Sequence, residues 1–325
     1  MATPRVIQTR GRCVESEHPF SAVAVREGAI VWHAGDDRET TFRSASKPLQ
    51  LACSLAALGD PEVPAEWLAV GAASHSAEPV HLAIVGDILR RFEVPASGLR
   101  CGAHPPVHAP SAEAILRAGG TFTDLHNNCS GKHAFMLAAA HHAGWDDDYR
   151  PIEHPLQRRI AGQLAGWMEH TPTHAVDGCG VPTFAQPLSA VARGWARVAE
   201  AMDDVTRRRG DDPWTARLGR IGHAMASHPE LTSGTGRLDL DVVRAAREPM
   251  AVKIGAMGLF CIALPARRTA VALKVHSGAG EALPALVAWA LAEAAPGAWR
   301  EPDGWELRVV RNVVGREVGR WEVAG

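Results

Sequence analysis

The sequence lacks the marks of several large protein classes. No stretch reaches the ~18 uninterrupted apolar residues of a membrane-spanning helix. The N-terminus, MATPRVIQTRGRCVESEH, is broken throughout by polar and charged residues and carries no signal-peptide apolar core. A cytoplasmic location with no membrane partner is therefore the expectation. Cysteine is sparse, with six residues at 13, 53, 101, 129, 179 and 261 and no CxxC pair. In a reducing compartment these should be free thiols or metal ligands, not a disulfide framework. The phosphate-binding patterns GxxxxGK(S/T) and GxGxxG after a strand are missing, so nucleotide use is not supported. HExxH is missing as well. No charge sign dominates: 34 Lys plus Arg face 36 Asp plus Glu, for a net charge of -2. Such a chain has no global field for nucleic acid or an anionic membrane. Its one basic run, Arg207 to Arg209, is flanked by Asp203, Asp204, Asp211 and Asp212 and reads as a solvated helix end.

What is present suits a sizeable core. The 325 residues are 46% hydrophobic and 22% charged, enough for a single catalytic domain over 1–325. Both ends read as strands and the middle as helices. Phe20 to Val25 and Ala29 to His33 form a hairpin around Glu27-Gly28. Ala251 to Leu264, Ala270 to Val275, Trp305 to Val310 and Val318 to Val323 are strand candidates near the other end. Helices are expected at Leu49–Leu58, Val80–Phe92, Ala112–Ala118, His133–His142, Leu156–Met168, Pro187–Met202 and a short piece at Val243–Arg247. The expected architecture is α/β: one sheet built from both chain ends and covered by helices, not alternating βαβ units.

Five segments hold residues that can do chemistry. In Arg43-Ser44-Ala45-Ser46-Lys47-Pro48, the proline places a helix start near Ala45 or Ser46. Ser44 and Lys47, three apart, can then share a face. A serine needs a base to act as a nucleophile, and lysine serves only if its pKa is lowered. A plain N-cap serine explains the same pattern. Ser74-His75-Ser76-Ala77-Glu78-Pro79 suits either a site or a capped helix start. His126 to His133 (HNNCSGKH) sets Cys129 beside a cation at a helix start, where a thiol becomes more acidic. Asp177 to Thr183 (DGCGVPT) reads as a tight, accessible turn. Cys129 and Cys179 can meet around a metal, although spacing alone signals this weakly. Lys253 lies in an otherwise apolar strand, where an exposed edge position is the commoner explanation.

Together RSASKP, SHSAEP, HNNCSGKH, DGCGVPTF and KIGAMG, in order from Arg43 to Gly258, resemble the L-asparaginase II family of the Rhizobium etli type. That resemblance implies a serine β-lactamase-like fold, a homodimer, and hydrolysis of L-asparagine to aspartate and ammonia. It implies two Ser/Lys tandems, Ser44 with Lys47 and Ser76 with Lys253, with Ser74 as the alternative second serine. It further implies a zinc held by Cys129, Lys132 and Cys179, tuning the pocket and not necessarily taking part in the chemistry. Asp177 would bind the substrate α-amino group, with Arg43, Lys132, Cys129 and His133 lining the pocket. Ala77 and Phe135 stand where glycine is familiar in the family, and Met257 where glutamate is common. His276-Ser277-Gly278 departs from the expected acidic turn. Penicillin-binding and penicillin-hydrolysing proteins share SxxK, but SDN and KTG are missing and Tyr149 opens no YxN. The threonine-dependent asparaginases are disfavoured, since no HGTDT follows Gly119-Gly120-Thr121. Another SxxK acyl hydrolase, or a zinc-dependent regulatory or binding protein, remains the competing reading.

Overall fold

A computed structural model describes residues 4–324. Residues 1–3 and 325, part of the expected domain span, lie outside the described residues. The chain opens with strands β1 (Arg5–Arg10), β2 (Cys13–Arg26), β3 (Ala29–Ala34) and β4 (Glu39–Thr41). Helices α1 (Lys47–Ala57), α2 (Ala65–Gly71), α3 (Pro79–Arg91), α4 (Ala109–Arg117), α5 (Ser130–His142) and α6 (Pro155–Met168) follow. Next come β5 (Thr173–Val176), β6 (Pro182–Pro187), α7 (Leu188–Thr206), α8 (Pro213–Ser227), α9 (Pro229–Thr232) and α10 (Leu238–Arg244). The chain ends with β7 (Ala251–Gly255), β8 (Leu259–Leu264), β9 (Thr269–Val275), α11 (Leu283–Ala294), β10 (Val309–Arg311) and β11 (Glu317–Ala324).

The main sheet runs β10-β11-β1-β2-β9-β8-β7, with β3 also on β2, and every pairing is antiparallel. Both chain ends therefore build it, as expected. The long β2 serves two partners on one side, β1 along Cys13 to Pro19 and β3 along Ala22 to Arg26, and β9 along Phe20 to Arg26 on the other. A small second sheet, β4-β6-β5, was not foreseen.

Strand periodicity divides the core in two. Leu259, Cys261 and Ala263 of β8 face a large cluster with α1, α5, α6, α7 and α8. Phe260, Ile262 and Leu264 face a second cluster with α10 and α11. Covered on both faces, β8 is apolar at all six positions, the pattern of a fully buried strand. The apolar stretch Ala251 to Leu264 is thus two strands, turned at Met257 and Gly258, both of positive φ. Trp305 to Val310 is corrected too: Glu306–Arg308 is a 3₁₀ turn, and the strand begins at Val309. The Arg207 cluster does end a helix, where Arg207 pairs with Asp203 at 2.6 Å.

Closing the sheet with β11 demands a small residue against Thr9, beside the register shift at Gln8 and Thr9 where β2 carries an extra residue, Glu15. A Cβ on Gly319 would overlap the Thr9 carbonyl oxygen. Gly319→Ala should therefore lower unfolding free energy by about 1–3 kcal/mol, read as a lower urea midpoint. Val313→Ala, at a fully exposed position, should leave the midpoint unchanged. Equal midpoints for the two variants would contradict this account of strand closure.

Candidate active site

The small sheet delivers the first serine. Phe42 N–H donates to Phe184 O, tying the exit of β4 to β6. Arg43 takes a left-handed conformation (φ 46°), and Arg43–Ser46 form a 3₁₀ turn leading into α1. Pro48 sits in the first helical turn, where it removes no needed donor. Trp195 Nε1 donates to Ala45 O at 3.1 Å and pins the turn from α7. Ser44 is half-buried, so its hydroxyl is within reach of a ligand.

Lys47 is buried, and its ammonium donates to Ala73 O (2.6 Å), Ser74 Oγ (2.9 Å) and Asn128 O (3.4 Å). Its serine contact is thus with Ser74 and not with Ser44, contrary to the pairing expected from SxxK. The helix-face argument places Cα atoms; the long lysine side chain then reaches across to the 74–78 loop. Burial lowers the lysine's proton affinity, and neighbouring Cys129 partly restores it.

The 74–78 loop is held by its own polar groups. His75 N–H donates to Asn128 O, and Ala77 N–H donates to His75 Nδ1. That leaves His75 Nε2–H to donate to Ser130 Oγ at 3.0 Å. Burial keeps this histidine neutral, its pKa well below the ordinary value. Ala77 has φ 55°, which explains why glycine is familiar there. Glu78 caps α3, and its carboxylate also accepts from the Thr235 amide and hydroxyl. Ser76 Oγ is buried without a hydrogen-bond partner. A Cβ on Gly234 would lie 2.5 Å from that oxygen, so the 233–236 loop can close here only with glycine.

Helix α5 contributes Cys129 at its N-cap, where Cys129 N–H donates to Asn127 Oδ1. Lys132 Nζ donates to Cys179 Sγ at 3.3 Å. The Cys129 thiol is strongly acidified, chiefly by a hydrogen bond from Cys179 and against the cost of burial. Cys179 is pushed up by the same sharing, so the pair holds one thiolate. Burial works against the charge of Lys132, but Cys179, Cys129 and Asp177 outweigh it and hold the ammonium. Arg43 Nε bonds Asp177 Oδ1 at 2.6 Å on the facing turn. His133 Nδ1 meets Tyr149 Oη at 3.0 Å, and its Nε2 is buried without a partner.

Lys253 corrects another expectation. Strand β7 is the sheet edge, yet Lys253 is fully buried. It pairs across the ladder with Cys261, so it lies on the face covered by the larger helical layer. Its ammonium donates to Ile254 O at 3.0 Å, and no bond to Ser76 is formed. Burial pushes its pKa down to about 7.

The structure thus links Lys47 with Ser74, Lys132 with Cys179, and Arg43 with Asp177, while the Ser44–Lys47 and Ser76–Lys253 hydrogen bonds are not made. It adds His75 and Ser130, which lie in segments singled out in the sequence but were given no role, and Tyr149 and Asp239, which lie in none of them. One sequence signal points to the centre: the chain has four lysines, and three of them, Lys47, Lys132 and Lys253, are buried here. The fourth, Lys274, is only partly buried. A surface cavity of about 640 Å³ beside Arg244 and Trp305 shares none of these residues. Among the described residues no group of three or more His, Cys, Asp or Glu gathers as a metal site. A zinc would need the two thiolates and the Lys132 amine. Two soft sulfurs and a nitrogen in one buried cluster fit a three-ligand site, once Lys132 gives up its proton.

The fold and this cluster define an α/β protein with a buried serine–lysine–cysteine site. The chain belongs to the L-asparaginase II family, a family of hydrolases, whose match spans residues 6–323. No curated protein matches it. Among solved structures it is similar to a β-lactamase from Mycobacterium bovis, at 11% identity over 84% of this chain and 94% of the other, with TM-score 0.37. The native form of Mglu is 15% identical over 88% and 66% of the two chains, with TM-score 0.38. A candidate β-lactamase from Bacteroides dorei is 14% identical over 80% and 86%, with TM-score 0.41.

Lys253 makes stability depend on pH. Its folded pKa of about 7 lies below the ordinary 10.5. Between those values the unfolded chain holds a proton that the folded chain does not, so this residue's contribution to stability rises with pH across the window. Below it, the buried ammonium carries its full cost. Lys253→Met should therefore gain more stability over the parent near about pH 7 than near about pH 9. Urea midpoints of both proteins at the two pH values measure it; a gap that does not narrow with pH would contradict the shift.

Proposed function

We propose that this protein hydrolyses the side-chain amide of L-asparagine to aspartate and ammonia through a serine ester. The observation that carries this reading is Lys47, buried against Ser74 and the Ala73 and Asn128 carbonyls, with its proton affinity lowered by that burial. Family membership supports the same chemistry. Ser44 is the nucleophile, because it is half-buried while Ser74 and Ser76 are 4% and 1% exposed. Neutral Lys47, after turning from Ser74, accepts the Ser44 proton as Oγ bonds to the amide carbon. Backbone N–H groups at the start of the helix hold the oxyanion. The proton passes to the departing nitrogen, ammonia leaves, and water hydrolyses the ester. Ser76 and Lys253 tune or relay protons to the first pair.

The Arg43–Asp177 ion pair supports an α-amino acid as substrate. A zwitterionic amino acid carries the same two charges, so its ammonium can take Asp177 and its carboxylate Arg43. Lys132, Cys129 and His133 line the remaining wall. Cys129, Lys132 and Cys179 would hold zinc, which when bound neutralises thiolate charge beside the substrate. The homodimer expected from the family likeness belongs to the same proposal.

A second reading makes Ser74 the nucleophile, favoured by its 2.9 Å bond to Lys47. Ammonia release from L-asparagine, with L-glutamine in parallel, separates the two. Ser44→Ala should lose about 10³-fold or more in kcat, and Ser74→Ala should lose less. The reverse order would transfer the nucleophile to Ser74. No release by the folded parent protein would favour the binding-protein reading.

The metal has its own test. The purified protein should carry about one zinc per chain by elemental analysis, as three convergent donors suggest. Cys179→Ser should lose most of it, and the exposed Cys13→Ser should keep it. Equal zinc in both variants would remove Cys179 from the site.

A further inference from the structure

Strand β7 has a neighbour on one side only, so alternate residues point their backbone N–H and C=O into the free edge. Ile254 is one of these. Its N–H donates to Asp239 Oδ1 at 2.6 Å, and its C=O accepts from Lys253 Nζ at 3.0 Å. In an extended strand the N–H and C=O of one residue lie on the same side. The carboxylate and the ammonium therefore lie on the same free edge, each holding one backbone group of Ile254, without a direct ion pair between them. Asp239 is 1% exposed, and its second oxygen, Oδ2, has no partner. A bare carboxylate oxygen is costly in a dry site unless a positive charge lies close. Lys253, on the same edge and with two further N–H donors uncommitted, is the cation that acts on this carboxylate at longer range.

We propose that Asp239 is a positioning residue for Lys253: it anchors the strand edge at Ile254, the residue whose carbonyl holds the lysine, and places a carboxylate on that edge, setting how readily the lysine takes up and gives back a proton. This rests on the reading above for what Lys253 does in the reaction, but the pairing itself does not. Without the carboxylate, burial and the cations around it would lower the lysine's proton affinity further. With it, the proton comes and goes near pH 7. Groups facing Lys253 from elsewhere are Cys261 on β8, Lys47 on α1, Cys129 on α5, His75 in the 74–78 loop and Arg237 beside α10. The buried residues of α8 behind it are apolar or glycine. Among the charged neighbours Lys47 and Arg237 oppose the ammonium, and Asp239 is the largest influence favouring it.

The chain's four lysines make a direct test practical. Lysine labelled at the side chain gives four NMR titrations in the full-length protein, and Lys253→Met identifies the one of interest. Asp239→Asn keeps an oxygen for Ile254 N–H and removes the charge. The Lys253 midpoint should then fall by about one pH unit or more, and the acid limb of the kcat/KM profile should move with it. An unmoved Lys253 midpoint in folded Asp239→Asn overturns the proposal. A moved midpoint with an unmoved profile upholds the pairing and instead refutes the part given to Lys253 in catalysis. Should Asp239→Asn fail to fold, the Asp239 side-chain carbon in the parent protein decides: it must report a titration at the Lys253 midpoint. A flat response there overturns the proposal equally.

Discussion

Three lysine side chains share one site with almost no access to water, and much of the surrounding structure answers that constraint. Two like charges at 4 Å repel by about 4 kcal/mol in a protein-like medium, and each ammonium also loses its hydration. The fold answers differently at each position. Lys132 is held charged by the Cys129–Cys179 pair and Asp177. Lys47 is surrounded by two carbonyls and a hydroxyl, which accept from an ammonium but do not compensate its charge. Lys253 has one carboxylate acting on it, Asp239, which shares the backbone of Ile254 with it. The outcome is a graded set, with one lysine kept protonated and two made easier to deprotonate, within one cluster.

Such a site needs walls on every side, and the layered sheet supplies them. Lys253 comes from a strand whose inner face is roofed by helices. Lys47 and Lys132 come from the first turns of α1 and α5, which belong to that roof. Loops from α2 to α3 and from α9 to α10 close the remaining side, with Gly234 packed on Ser76. The cost is local backbone strain at Arg43 and Ala77, each next to a candidate serine. Left-handed geometry costs a non-glycine residue about 1–2 kcal/mol, and here it aims the flanking hydroxyls into the site.

Much of this was legible in the sequence. Both chain ends read as strands because their apolar and β-branched runs were distinct. The long helices showed themselves by periodicity, and the five polar segments stood out because crowded polar residues serve no core. What was not legible depends on contacts between distant segments. Lys253 looked like an edge lysine, since no local pattern tells which face of β7 is roofed. Lys47 looked paired with Ser44, since helix spacing fixes Cα positions and not the reach of a long side chain. Asp239, inside Leu238-Asp239-Leu240-Asp241, belonged to none of the segments singled out in the sequence; it sits in the first turn of α10. The small β4-β6-β5 sheet escaped because β4 and β5 are very short and β4 lies far in the chain from its partner β6.

The balance of basic residues ties these points together. Of 34 lysines and arginines only four are lysine, so this chain meets nearly every need for positive charge with arginine. Arginine forms its ion pairs at Asp177, Asp203, Asp60 and Glu248. Arginine cannot give up its proton under these conditions, whereas a buried lysine can. If the site needed only fixed positive charge, arginine would have served with better geometry for carboxylates. Burial makes Lys47 and Lys253 easier to deprotonate, as it could not an arginine, while Lys132 keeps its charge beside the two thiols.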